Sequence, residues 1–100
     1  MIKHIVLFKL KEFESLHEKA EVLKEIKNGL EALIHKVEVL RFIEVGLNFE
    51  LDSANYDICL TTHFDTVDDM NAYQVHPDHQ EVSKYIKSVL VQRACVDYTF

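Results

Sequence analysis

The stretch Tyr73–Val82, YQVHPDHQEV, contains the chain's one proline with a histidine on either side. Proline has no amide hydrogen and a fixed φ, which suits the first position of a helix and stops any helix running into it. The stretch therefore reads as a junction. A short helix capped by Asp65 or Thr66, with Val67, Met70 and Tyr73 on one side, ends here, and a second opens at Pro77. His76 then stands at or near the N-cap, and Asp78 and Glu81 fall in the first turn, where acids complement the helix dipole. Val82, Tyr85, Ile86, Val89 and Leu90 give the second helix an apolar stripe.

Upstream, Tyr56 to Phe64 has strand composition, and Leu51 to Asn55 is a polar loop. Val39 to Phe49 is a further strand, rich in Val, Ile, Phe and Leu. At the start, Ile2, His4, Val6, Phe8 and Leu10 alternate with Lys3, Ile5, Leu7 and Lys9, a period of two. Ser15 with Glu18 forms a capping box for a long helix. Its apolar positions are Leu16, Ala20, Leu23, Ile26, Leu30, Leu33 and Ile34, with Glu18, Glu21, Glu25 and Lys36 opposite. Gly29 interrupts that helix at a cost of about 1 kcal/mol relative to alanine, which points to close packing there. Val91 to Thr99 is a last strand. The order β-α-β-β-α-β, with the second helix broken at the proline, predicts an α+β, ferredoxin-like domain over residues 1–100 with an antiparallel four-stranded sheet.

Two helices cover one side of such a sheet. Apolar residues nonetheless occur on both faces of its strands: Ile5 and Leu7 in the first, Leu40 and Phe42 in the second, Cys59 in the third. An uncovered apolar sheet face is an interaction surface, and a two-fold homodimer through that face follows. The net charge of −6, with lysines spread along the chain, argues against a nucleic-acid partner. No apolar run is long enough to span a bilayer and the start lacks a signal-peptide pattern, so a cytoplasmic protein is expected. Cys59 and Cys95 lie singly in strands and read as buried free thiols rather than a disulfide or a zinc pair. The charged run Lys9, Lys11, Glu12 and Glu14 reads as solvated surface.

MIKHIVLFKLK at the start, YDICLTTHF in the third strand, and YQVHPDHQEV followed by the terminal VDYTF resemble the stress-responsive dimeric α/β-barrel (Dabb) domain family over nearly the whole chain. The resemblance implies ferredoxin-like protomers whose sheets pair face to face into a dimeric α/β barrel. One plant branch of the family cyclises linear polyketides without a cofactor, and related barrels include small cofactor-free monooxygenases. By position, that branch's working tyrosine and histidine fall on Tyr73 and His79, and its first-strand pocket histidine falls on His4. A further pocket histidine of its third strand falls on Ile58 here, a lost polar group.

Spacing agrees with an inward His79, which shares a helix face with Val82, Ile86 and Val89. A pocket lined by His4, Val6, Phe8, Ile58, Tyr73, His76, His79 and Ile86, taking a small hydrophobic ligand, is the expectation. Tyr73 and His79 would serve as acid and base if chemistry follows. The competing reading makes Tyr73 a core aromatic, His76 a cap and His79 a ring bonded to a backbone carbonyl. His76 and His79, with Asp78 or His63, make a weak metal set, and neither a metal nor a cofactor is assigned.

Overall fold

Ile2, His4, Val6, Phe8 and Leu10 are buried and the residues between them half-buried, so β1 (Ile2–Leu10) has one face in the core along its whole length. The computed structural model describes residues 1–100. After β1 come α1 (Leu16–Glu31), β2 (Phe42–Leu47), β3 (Ile58–Phe64), α2 (Val67–Val75), α3 (Pro77–Val89) and β4 (Leu90–Thr99). The strands form one antiparallel sheet in the order β2-β3-β1-β4. This is the ferredoxin-like fold that the element order predicts.

Local chemistry sets most boundaries. The Ser15 hydroxyl accepts from Glu18 N (3.0 Å) and the Thr66 hydroxyl from Asp69 N (3.1 Å), which fixes the starts of α1 and α2. His76 closes α2 and caps α3, its Nδ1 accepting from Asp78 N at 3.1 Å with Pro77 next in the chain. On α1, Leu23, Ile26 and Leu30 are buried, as is Leu33 just beyond it, whereas Leu16 is exposed. Gly29 faces Val82 of α3, yet a methyl there would stand 3.6 Å from its nearest side-chain atom. The helices do approach at this point, and alanine would still fit.

Several expectations are corrected. The long helix does not run unbroken to Ile34: α1 stops at Glu31, and Ala32–His35 tighten into a 3-10 turn. The second strand is six residues, not Val39–Phe49. Val37 and Leu40 are both buried and close a turn through Leu40 N to Val37 O (3.1 Å), so Leu40 joins the core instead of the open face, while Phe49 projects into solvent. Cys59 and Cys95 are free, as expected, but exposed, because Cys59 is on the open face and β4 is an edge strand that the helices leave uncovered. Val67, placed with Met70 and Tyr73, is exposed.

The charged run that begins at Lys9 in β1 is also not wholly solvated. Lys9 donates to the Ser53 and Asn55 carbonyls, both at 2.9 Å. Lys19, on α1, is buried, donates to Leu51 O and pairs with Asp57 at 2.8 Å. Asp57 is itself buried and accepts from Leu10 N at 2.8 Å. A buried charge is tolerable only when paired and hydrogen-bonded, and here the pair ties the 48–57 loop to β1 and α1.

Phe64, Tyr73, Ile26, Leu30 and Val6 fill the space between the sheet and the helices. The other face presents Lys3, Ile5 and Leu7 of β1, Cys59, Thr61 and His63 of β3, Phe42 of β2, and Val96 and Tyr98 of β4. No helix covers it, and Phe42, Val96, Tyr98 and the adjoining Phe100 are exposed.

Candidate functional site

The β1–β4 register sets His4 opposite Asp97 and Val6 opposite Cys95, all on the helix side of the sheet. His4 is buried, and its Nδ1 is hydrogen-bonded to the Asp97 carboxylate. An ionised carboxylate only accepts, so the proton of this pair sits on Nδ1 and a neutral ring keeps its lone pair on Nε2. The Cys95 Sγ lies 3.6 Å from both partners. Burial foremost, then the Asp97 charge, pushes the Cys95 pKa up and keeps it a thiol.

His79 arrives from the first turns of α3. Its Nδ1 donates to Gln74 O at 3.1 Å, across the junction between α2 and α3. That bond fixes the same tautomer as in His4. Burial lowers the His79 pKa; the Gln74 bond opposes this, and the nearby His4, Lys87 and His76 charges reinforce it.

Between the two imidazoles lies a cavity of about 90 Å³. His4, Val6 and Phe8 of β1, Leu30 of α1, Leu60 of β3, and His79 and Ile86 of α3 line it, with Gln74, Ser83, Lys87 and Arg93 on its polar side. The structure thus brings together His4, Val6, Phe8, His79 and Ile86. Three expected residues lie outside the lining. Ile58 packs in the core opposite Phe8, and His76 is taken up at its cap. Tyr73 is fully buried between Phe64 and His79, with ring centroids 5.0 and 4.4 Å away. Its hydroxyl is sealed in without a hydrogen-bond partner, and burial drives its pKa far above the ordinary value.

Neither Asp97 nor Arg93 stood out in the sequence. The only available signal was register: each occupies the same parity as Cys95 on the last strand, opposite the buried face of the first. As a metal set, His76 and His79 are both committed to the backbone, and His63 is on the other face of the sheet. His4, Cys95 and Asp97 do offer three ligand atoms within 4.8 Å of one another, although two of those groups are hydrogen-bonded together.

The family model described as the stress responsive A/B barrel domain, Dabb, matches residues 2–100. A dimeric protein of ferredoxin-like fold from Bacteroides fragilis is 42% identical with a TM-score of 0.90, the match covering 99% of this chain and 95% of that one. A dimeric ferredoxin-like protein from Thermobifida fusca is 26% identical with a TM-score of 0.83, covering 99% and 90%. A stress-response A/B barrel domain-containing protein of Arabidopsis thaliana is 27% identical over 98% of this chain, which spans about half (46%) of that relative's length. The chain belongs to the stress-responsive A/B barrel (Dabb) domain family.

Proposed function

We propose that this chain works as a homodimer, paired through the open sheet face, with each protomer binding a small, largely apolar ligand in the cavity between His4 and His79. The cavity carries the ligand reading: it is walled by Val6, Phe8, Leu30, Leu60 and Ile86 and has the imidazoles of His4 and His79 in its lining. Its volume holds about three waters at about 30 Å³ each, enough for the compact end of a small ligand.

The open face supports the dimer. Val96, Tyr98, Phe42 and Phe100 are exposed there, and His63 Nε2, wedged between Phe42 and Phe100, is buried without a partner. The Bacteroides and Thermobifida relatives are dimeric. No helix is long and apolar enough to cross a membrane. Two exposed free thiols suit a reducing compartment, so the cytoplasm is the proposed location.

Acid–base chemistry on the bound ligand, without a cofactor, is the second reading, and the His4–Asp97 hydrogen bond favours it. That bond orients an imidazole whose other nitrogen remains free to take a proton. His79 is held likewise. Tyr73 would contribute as an acid only if ligand binding opened a path to its hydroxyl.

Two measurements test the proposal. In Val96→Asp, light scattering should give half the mass of the parent protein; an unchanged mass overturns pairing through this face. Soaking or NMR titration with small aromatic fragments should perturb Val6, Leu30 and Ile86 first. Fragments that bind only elsewhere overturn the pocket.

A further inference from the structure

The cavity opens outward into a second, wholly polar space of about 580 Å³, and the two share Gln74, His79, Ser83, Lys87 and Arg93. No apolar residue lines the outer space, and no aspartate or glutamate lines either one, although acids outnumber bases 17 to 11 in the chain. Lys84 and Lys87, one helical turn apart on α3, face this mouth together with Arg93 of β4. None of these cations takes part in an ion pair; the acids in the chain's ion pairs are Asp57, Asp65, Asp78 and Asp97, with other partners. These side chains are solvent-exposed, so water and salt screen their repulsion, but like charges gathered in a concave mouth still focus a positive potential that attracts an anion.

Resting on the pocket reading above, we propose that the ligand is an amphipathic organic anion. Its compact apolar body fills the inner cavity, and its oxyanion head, a carboxylate or a phosphate ester, is held at the mouth by Arg93, Lys87 and Lys84. The guanidinium offers a planar fork to two oxygens, and the ammonium groups add point charge. His79, at the border of the two spaces, then meets the ligand where head joins body.

The test compares benzoate, phenylphosphate and benzamide, which share a ring and differ in the head, by NMR titration of the full chain at low salt. The expected result is that benzoate or phenylphosphate binds at least tenfold more tightly than benzamide, with whichever anion wins naming the head group. Arg93→Gln and Lys87→Gln should each reduce that preference severalfold, weakening the anions far more than benzamide. If benzamide binds at the Val6 and Ile86 methyls as well as the anions do, the pocket stands and the anion inference falls. If none of the three perturbs those methyls, both fall. If the anions win but neither variant changes their affinity, the head lies elsewhere and the assignment to this mouth is overturned.

Discussion

His4 and Asp97 face each other across the β1–β4 ladder, and the carboxylate of the exposed edge strand accepts a hydrogen bond from the buried imidazole of the central one. The contact spans 93 residues of sequence and orients an imidazole that lines the cavity.

Asp97→Ala should therefore cost about 1 kcal/mol, since the carboxylate is partly solvated and its bond is screened. Asp97→Asn leaves the space filled but can present an amide donor to Nδ1, so the protonated nitrogen should switch. Imidazole ¹⁵N shifts of His4 report this directly, and an unchanged tautomer would show that something other than Asp97 sets it.

Tyr73→Phe should leave stability unchanged or raise it slightly, because the hydroxyl it removes is buried and unpaired. Tyr73→Ala should cost about 3–5 kcal/mol through the cavity it opens. A loss of more than about 1 kcal/mol in Tyr73→Phe on urea unfolding would reveal a partner for that hydroxyl.

The pH dependence follows from His79. Its folded pKa lies below the ordinary 6.5, so the folded state binds the proton less readily than the unfolded chain. The contribution to stability is complete above 6.5 and is lost as pH falls from there through the lower folded value. His63, also lowered by burial, acts in the same direction. Urea midpoints at pH 7.5 and pH 5 should differ, and His79→Gln should narrow the gap. An equal gap in the variant would assign the effect elsewhere.

Asp57 is the charge on which the loop before β3 depends. Asp57→Asn leaves Lys19 buried without its counter-charge and weakens the bond to Leu10 N, for an expected loss of about 3–5 kcal/mol in chemical unfolding. A loss under about 1 kcal/mol would mean that Lys19 escapes to solvent.

Much of the fold was legible in the residues. Period-two alternation placed β1, strand composition placed β3, cap chemistry marked helix starts at Ser15 and at Asp65 or Thr66, and Pro77 set the α2–α3 junction, because these signals act within one element. Where the sequence misled, a tertiary contact had outweighed a local pattern. Leu40 belongs to a strand-like run, but it reaches the core from a turn closed with the buried Val37, which shortens β2. Lys9 looks like solvated surface, and nothing in the pattern marks Lys19, until a buried Asp57 and loop carbonyls from over thirty residues away claim them.

The site divides along the same line. Val6, Phe8, His4, His79 and Ile86 converge because each sits on the inward side of its own strand or helix, and spacing alone reports that. Asp97 and Arg93 enter only through the register of β4 against β1, since a shift of one residue would have turned both to the other face. Whether Tyr73 reaches the cavity was likewise decided by packing: spacing points it inward, and the rings of Phe64 and His79 close over it.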